Sequence, residues 1–322
     1  KLVTLIYGQQ QSTDKTKLYD LMYNDNGTFV SVTSAVNSGE YKFKLDIDEI
    51  DEYQGYEITF NIDKKQINSV LFDGETTANK IYDATATVLN TITSNDIISG
   101  DNVVFSGIYV NNSMEATDSG SYDISITYSG TDAFNYQLVL SEATGTITAR
   151  PITLSIKDGV KVVYDGTNQT ISAENIVVSG SYGLCSNENL VGYITLNQIE
   201  FGEYTLNLDN ADISALFIQK ANTNDSTKNY EITLSGKYNI SALEVSVSFT
   251  EIDLTYNGET QGIDPFLIID QVSEVISEQC LSAVKISYNK ETINAGNYTA
   301  TVSSSSANFV FVGETTKQFE IK

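Results

Sequence analysis

The sequence predicts an all-β or mostly β fold, arranged as a tandem array of small domains with at most one short helix in each. Two observations support this prediction. Val, Ile, Thr and Tyr, which favour strands, alternate with Ser, Asn and Gly, which favour turns. In addition, three short motifs recur in one fixed order along the 322 residues. Recurrence at a regular spacing is typical of repeat architectures.

The first motif is a tyrosine followed by a turn. Its clearest copies are Tyr82-Asp83-Ala84, Tyr164-Asp165-Gly166 and Tyr256-Asn257-Gly258, with Tyr7-Gly8 as a degenerate copy. Asp-Gly or Asn-Gly between two extended runs predicts a two-residue β-hairpin turn of type I′. We expect the tyrosine ring to lie over one end of a domain with its hydroxyl in water. Because every repeat carries the motif, a scaffold role is favoured over a ligand-binding loop.

The second motif is Gly-x-Tyr, which opens a stretch of alternating apolar and polar residues. Its copies pair Gly39 with Tyr41, Gly120 with Tyr122, Gly202 with Tyr204, and Gly296 with Tyr298. Alternation with a period of two predicts a strand with one buried face. The glycine would turn the chain, and the tyrosine hydroxyl would bond to the backbone, as in the tyrosine corner of Ig-like sandwiches.

The third motif is an aromatic residue that opens the last strands of each repeat. Its copies are Gly55-Tyr56, Asn135-Tyr136, Asn229-Tyr230 and Asn308-Phe309. The three motifs divide the chain into repeat one (1–68), repeat two (69–149), repeat three (150–243, with a long loop) and repeat four (244–322). The joins at 146–155 and 238–250 are short, so we expect a semi-rigid rod in which each domain contacts its neighbours.

Helical spacing of apolar residues is confined to two stretches, 16–23 and 270–283. The two cysteines, Cys185 and Cys280, follow Tyr164 and Tyr256 at near-equal distances. This spacing suggests one core position used in two repeats, with buried, unbonded thiols.

The chain is strongly acidic, with 42 acidic against 18 basic residues and a net charge of −24. Nucleic-acid binding depends on Lys and Arg, so this balance excludes a nucleic-acid role and disfavours anionic membranes. The sequence contains no apolar run of 18 residues, so we predict no membrane span. We also expect a monomer. The absence of His excludes Cys/His zinc sites and Ser/His/Asp catalysis. Paired carboxylates leave a glycosidase open, but repeats this small offer no deep cleft for two positioned acids, so we predict no enzyme and no cofactor.

Two alternatives for special chemistry stay open. The acidic stretch 45–54 and the segment 24–28 suggest calcium at a domain edge, although a solvated edge that resists strand pairing is favoured. Lys42 and Lys44 are candidates for lysine–asparagine isopeptide bonds, although ordinary outward-facing lysines are favoured.

The tyrosine turn, the join ITARPIT and the later Gly-x-Tyr motif together resemble the MBG and YDG-type repeat domains of bacterial surface proteins. The resemblance covers 69–322 well and 1–68 weakly, and the chain departs from the pattern at Gly8 and Ala84. It implies small, mostly β domains of β-grasp-like or Ig-like build. It also implies an extracellular place in adhesin-like, cell-wall-attached proteins, and it supplies no catalytic residues.

Two functions compete on this evidence. In the first, the repeats form a stalk that projects an adhesive domain from the bacterial cell wall. In the second, the repeats themselves bind a host glycan or an extracellular matrix protein, and the polar segment 218–229 is the candidate contact loop. Since the chain begins at KLVTLIYG and ends at FEIK within an expected strand, we expect a fragment of a longer protein.

Overall fold

The computed structural model describes residues 4–6, 22–25, 28–31, 37–44, 57–140, 142–220, 224–269 and 273–322. Within these ranges the protein is mostly β, as predicted, with one α-helix. The chain divides into two compact units, 1–150 and 151–322. The division into four domains stays a prediction.

The described residues of the first unit form five sheets of two to five strands. Its strands are β1 (Thr4–Ile6), β2 (Met22–Asp25), β3 (Thr28–Ser31), β4 (Gly39–Lys44), β5 (Glu57–Asp63), β6 (Lys65–Ile67), β7 (Leu71–Phe72), β8 (Thr77–Ile81), β9 (Ile92–Thr93), β10 (Val104–Asn111), β11 (Met114–Glu115), β12 (Gly120–Ser129), β13 (Tyr136–Leu138) and β14 (Thr144–Thr148). The sheet orders are β1-β5-β4, β11-β10-β12-β14-β8, β13-β6, β2-β3 and β7-β9.

The second unit opens with a strand that starts at Arg150, one residue before the division. Its strands are β15 (Arg150–Ile156), β16 (Val162–Val163), β17 (Thr170–Ser172), β18 (Ile176–Ser179), β19 (Glu188–Leu196), β20 (Gly202–Thr205), β21 (Ala211–Asp212), β22 (Leu216–Lys220), β23 (Tyr230–Leu234), β24 (Lys237–Ser241), β25 (Leu243–Phe249), β26 (Pro265–Ile268), β27 (Val284–Tyr288), β28 (Gly296–Ser304), β29 (Phe309–Gly313) and β30 (Thr316–Ile321). The sheet orders are β18-β15-β23, β16-β24-β20, β17-β19-β21 with β22 beside β19, β26-β25-β29 and β27-β28-β30.

One strand arrangement recurs in all four repeats. The strand before the tyrosine turn pairs in parallel with the closing strand, as β1–β5, β8–β14, β16–β24 and the bridge between Leu254 and Ile321. The closing strand also pairs antiparallel with the Gly-x-Tyr strand, as β5–β4, β14–β12, β24–β20 and β30–β28. In repeats two, three and four, this register brings the tyrosine turn, the Gly-x-Tyr glycine and the end of the closing strand to one end of the repeat.

In repeats two, three and four, the strand after the third motif pairs with the strand by which the chain enters the repeat, as β13–β6, β23–β15 and β29–β25. β13 pairs in parallel with β6, and β29 pairs in parallel with β25. β6 lies inside the range assigned to repeat one, yet its partner belongs to repeat two. The Asn-aromatic turn therefore sits where the chain enters a repeat.

The helix α1 (Glu274–Ala283) confirms the helical spacing seen at 270–283. Ser273 caps the helix by accepting a hydrogen bond from the Ile276 backbone N–H, and Ile276, Cys280 and Ala283 are buried. The second helical candidate, 16–23, lies mostly outside the described residues. Its last two residues, Met22 and Tyr23, begin β2, so the prediction of a helix is wrong there.

Candidate functional site

The Gly-x-Tyr motif builds a tyrosine corner in every repeat. In each copy the tyrosine hydroxyl donates to a backbone carbonyl three or four residues earlier: Tyr41 to Asn37 at 2.7 Å, Tyr122 to Ser119 at 3.5 Å, Tyr204 to Glu200 at 2.9 Å, and Tyr298 to Asn294 at 2.5 Å. The four glycines have φ angles of +149° to +157°, which side chains rarely adopt. The corner therefore fixes the short segment that precedes each glycine.

The prediction of a hairpin at the tyrosine turn is wrong. β16 and β17, which flank Asp165-Gly166, pair with β24 and β19 respectively, not with each other. Of the two turn residues, Gly166 has a positive φ, at +76°, and Asp165 is not among the residues that do. A type I′ turn requires positive φ at both.

The turn is instead an Asx turn, in which a side chain accepts from the backbone two residues on. The Asp165 carboxylate accepts from both the N–H and the hydroxyl of Thr167, each at 2.8 Å. The Asp83 carboxylate does the same for Thr85, at 2.9 and 2.8 Å. Burial raises the pKa of Asp165, but hydrogen bonds from Gln169 and Thr167 outweigh it, so the pKa is lowered. The ionised carboxylate of Asp165 therefore helps to fix the conformation of the loop.

The three described tyrosines of this motif differ in exposure. The Tyr82 side chain is 0% exposed and that of Tyr164 is 3% exposed, whereas Tyr256 is 55% exposed. The expectation of a hydroxyl in water is therefore wrong for Tyr164, whose hydroxyl donates to the Gln279 Oε1 atom at 2.8 Å. Burial, followed by the charge of Glu200, raises the pKa of Tyr164.

Tyr164 of repeat three is covered by residues of repeat four. The Tyr164 ring lies edge-on to Phe309, with 5.6 Å between the ring centroids. Gly166 meets the helix α1, because a Cβ atom added at Gly166 would lie 2.3 Å from the Ile276 Cδ1 atom. The glycine of this turn therefore allows the close approach of the next repeat as well as the positive φ.

A hydrogen-bonded clamp completes this contact. The Asn308 Oδ1 atom accepts from the Phe201 backbone N–H at 2.8 Å, and the Asn308 Nδ2 atom donates to the Glu200 carboxylate. Phe201 directly precedes Gly202, so the tyrosine corner holds the backbone that Asn308 binds. The group formed by Tyr164, Gly166, Glu200 and Phe201 is called the Tyr164 seat below.

The first unit contains the same clamp. The Asn135 Oδ1 atom accepts from the Ser38 backbone N–H at 2.7 Å, and its Nδ2 atom donates to the Asn37 Oδ1 atom at 3.0 Å. Ser38 precedes Gly39 just as Phe201 precedes Gly202. The Ser38 hydroxyl also donates to the Phe134 carbonyl at 3.1 Å. Repeat two is thereby attached to repeat one in the manner in which repeat four is attached to repeat three.

Sequence reasoning missed these clamps, although their signal is present in the sequence. Asn precedes the aromatic residue of the third motif in three repeats, at Asn135, Asn229 and Asn308. We interpreted the motif only as a strand opening, because the partner lies about 100 residues earlier in the chain. In repeat one the corresponding pair, Gly55-Tyr56, lies outside the described residues.

The aromatic residue of the third motif forms a second recurring network when it is tyrosine. The Tyr136 hydroxyl donates to Asp101 at 2.6 Å and accepts from the Ile98 backbone N–H at 2.9 Å. In repeat three the Tyr230 hydroxyl donates to the Glu188 carboxylate and accepts from the Cys185 backbone N–H at 2.8 Å. Phe309 replaces this tyrosine in repeat four.

The network in repeat three is buried, since Glu188, Tyr230 and Cys185 are all below one tenth exposed. Burial, followed by contacts with Cys185 and Glu188, raises the pKa of Tyr230. Both cysteines are buried and neither forms a disulfide bond, as predicted. However, Cys185 lies in the loop before β19 and Cys280 lies in α1, so their similar spacing does not reflect one kind of element.

One lysine is buried beside a tyrosine turn. The Lys80 ammonium donates to Asp83 at 2.7 Å and to the Thr85 carbonyl at 2.7 Å, and it lies 5.4 Å from the centre of the Tyr109 ring. Burial, followed by the charge of Asp83, raises the pKa of Tyr109 to about 12. Lys42 and Lys44, the isopeptide candidates, lie in β4, and their side chains are outside the described residues.

The candidate contact loop, 218–229, is less exposed than predicted. Its ends bond to each other: the Ser226 N–H donates to the Ile218 carbonyl at 2.8 Å, and the Thr227 hydroxyl accepts from the Ile218 N–H at 2.8 Å. Ile218, Ser226 and Asn229 are buried. Residues 221–223 lie outside the described ranges. The two ends of this segment therefore contribute to the structure of repeat three.

Among the described residues, no group of three or more His, Cys, Asp or Glu side chains is placed to hold a metal ion. The acidic stretch 45–54 lies outside these residues. Asn24, Asp25 and Thr28 belong to the antiparallel pair β2–β3. Within the described part of the chain, no helix is long and apolar enough to cross a bilayer.

Comparisons with known proteins gave no match to this chain among family models, curated sequences or solved structures.

Proposed function

We propose that the chain is a non-enzymatic, extracellular repeat region of a bacterial surface protein, and that it acts as a spacer that projects an adhesive domain. One observation carries this proposal: the clamps of Asn135 and Asn308 attach successive repeats in the same way in both units. The motifs shared by the repeats thus serve to hold one repeat to the next. That use suits a spacer, in which each domain contacts its neighbours.

The resemblance to MBG and YDG-type domains supports the cellular setting of this proposal. The motifs of that resemblance are the tyrosine turns, the tyrosine corners and the short joins, and the surface location is proposed from them. A net charge of −24 suits a soluble region that does not bind nucleic acid.

A second function, binding of a host glycan or matrix protein, is favoured by one surface in repeat three. Tyr193 in β19 and Phe217 in β22 are both exposed. Val191 pairs with Phe217, and Tyr193 follows Val191 by two residues in β19, so the two exposed aromatic residues occupy neighbouring positions on adjacent strands. Exposed aromatic rings can stack on the faces of sugar rings.

The experiment that separates the two functions measures binding of the full 322-residue chain to host glycans, mucin and matrix proteins. The same measurements are made on the variant Tyr193→Ser/Phe217→Ser. The matched control is Phe266→Ser, which removes an exposed aromatic side chain from β26 in repeat four.

The spacer proposal predicts no saturable binding by any of the three proteins. Saturable binding that is lost in the double variant and retained in the Phe266→Ser control would overturn the spacer proposal and assign an adhesive role to repeat three. Binding that survives both changes would also overturn it and would place the contact elsewhere.

A further inference from the structure

Repeat four ends in a surface that matches the Tyr164 seat but is uncovered. Tyr256 is 55% exposed, whereas Tyr164 is 3% exposed. A Cβ atom added at Gly258 would meet only the Tyr256 hydroxyl, at 3.9 Å, whereas one at Gly166 would collide with α1. Asn294 and Ala295 are also exposed. The group formed by Tyr256, Gly258, Asn294 and Ala295 is called the Tyr256 seat.

Backbone register shows that the two seats correspond. The Tyr164 N–H donates to the Ser241 carbonyl at 2.9 Å, and the Tyr256 N–H donates to the Lys322 carbonyl at 2.8 Å. Both tyrosines thus occupy the same place beside the end of their closing strand.

The tyrosine corners give a second correspondence. The Tyr298 hydroxyl bonds to the Asn294 carbonyl as the Tyr204 hydroxyl bonds to the Glu200 carbonyl. Asn294 and Ala295 therefore stand where Glu200 and Phe201 stand in the Tyr164 seat.

We propose that the Tyr256 seat binds a further domain of this repeat type, joined in tandem and carrying an Asn-aromatic turn. Its asparagine accepts from the Ala295 N–H and donates to the Asn294 side-chain oxygen. The pair of Asn135 with Asn37 shows this amide–amide bond in the first unit. Its aromatic ring covers Tyr256 as Phe309 covers Tyr164.

The tandem domain is favoured over a second copy of this chain because the chain's own Asn-aromatic turns are engaged. Asn135 and Asn308 already bond to Ser38 and Phe201, and Asn229 is fully buried. A lone exposed tyrosine would need no explanation. The inference rests on the matched set of groups, and it would stand even if the chain were an adhesin and not a spacer.

The test extends the full chain with a second copy of residues 242–322. Ser241 and Lys322 occupy equivalent positions, so the copy starts at the residue after Ser241. The added copy carries Tyr256→Phe, which leaves one Tyr256 in the protein. Tyrosine nitration followed by peptide mapping reports the reactivity of Tyr256, with Tyr164 as the buried reference. The thiol of the added Cys280 reports folding of the copy, because this residue is buried in the native chain.

We expect the nitration rate of Tyr256 to fall by about tenfold or more in the extended protein, as for a site that opens only rarely. The matched variant carries Asn308→Ala in the added copy alone, and it should restore much of the reactivity. An unchanged Tyr256 rate beside a protected thiol would overturn the proposal. A reactive thiol in the added copy together with an unchanged Tyr256 nitration rate would also count against the proposal. Repeat four folds when it is packed on the Tyr164 seat, so a copy that fails to fold beside the Tyr256 seat has not been bound by it. Self-association of the unextended chain that protects Tyr256 would assign the seat to a second copy instead.

Discussion

Two constraints act on Gly202, the glycine of the Gly-x-Tyr motif in repeat three. The first is its φ angle, which lies in a region that L side chains rarely adopt. The second is the tyrosine that follows, because a Cβ atom at Gly202 would lie 3.1 Å from the Tyr204 hydroxyl oxygen. That hydroxyl holds the Glu200 carbonyl, and Glu200 and Phe201 bind Asn308. Strain at one glycine would therefore be transmitted to the contact between two repeats.

Replacement of Gly202 by alanine should lower the free energy of unfolding of the second unit by about 1–3 kcal/mol, the usual cost of a strained backbone position. Denaturant unfolding followed by tyrosine fluorescence measures the change. The matched control is Gly183→Ala, since a Cβ atom there meets no atom within 4 Å and its φ is not positive. An equal loss in both variants would contradict the proposed role of the corner.

The ion pair of Lys80 and Asp83 should make stability depend on acid pH. Burial raises the pKa of Asp83, but hydrogen bonds from Lys80 and Thr85 outweigh it, so the folded-state pKa lies below the ordinary value of 3.8. A carboxylate with a lowered pKa stabilises the fold fully above its unfolded-state pKa. That stability is lost as the pH falls through the folded-state value.

Asp83→Asn keeps an oxygen that can accept from Thr85 but leaves the buried Lys80 without its counter-charge. At pH 7 we expect the variant to lose about 1–3 kcal/mol of unfolding free energy, and the difference should shrink below pH 3.8. Urea unfolding across this pH range is the measurement. Asp253→Asn, which removes the partner of an exposed pair with Lys322, is the control and should change little. A difference that persists undiminished at acid pH would show that charge is not the cause.

At the scale of elements, the Asn-aromatic turn joins two repeats. It lies beside the strand by which the chain enters one repeat, and its asparagine bonds to the tyrosine corner of the preceding repeat. The Asn308 carbonyl also accepts from the N–H of Leu243, the first residue of β25, at 2.8 Å. One residue therefore connects the first strand of repeat four to the tyrosine corner of repeat three.

Asn308→Ala removes two hydrogen bonds between repeats three and four. We expect it to lower the free energy of unfolding by about 1–3 kcal/mol and to increase nitration of Tyr164, because the covering repeat opens more often. Asn297→Ala replaces an exposed asparagine in β28 and is the matched control. Unchanged reactivity of Tyr164 in the Asn308→Ala variant would show that the clamp does not hold the repeats together.

The sequence predicted the strands and the helix better than it predicted which strands pair and which side chains bond to each other. Alternation and turn residues indicated a mostly β chain, and the spacing of Ile276 and Cys280 indicated α1. Those signals are local. The hairpin at Asp165-Gly166 was wrong because an Asx turn uses the same residues, and only long-range pairing with β24 and β19 distinguishes the two. The clamp at Asn308 was missed because its partners are distant in sequence.

At the scale of the whole molecule, the net negative charge is the feature that most affects how stability depends on salt. A net charge of −24 on 322 residues makes the compact state repel itself, so screening by salt should stabilise the fold. A raised melting temperature in salt is therefore no evidence for an ion site. Only a difference between ions at equal ionic strength would indicate specific binding.

This distinction gives a test of the calcium alternative. After treatment with a chelator, the melting temperature should rise from low salt to about 150 mM NaCl. CaCl₂ and MgCl₂ at matched ionic strength should then raise it equally, since the acidic stretch 45–54 is interpreted as a solvated edge and not as an ion site. A rise specific to calcium would contradict this expectation and direct attention to the acidic stretch 45–54.

Replacing Asp48 and Asp51 with asparagine should abolish that rise if the stretch binds the ion. The same substitutions should leave the NaCl effect nearly unchanged, because they remove only two of the 42 acidic residues.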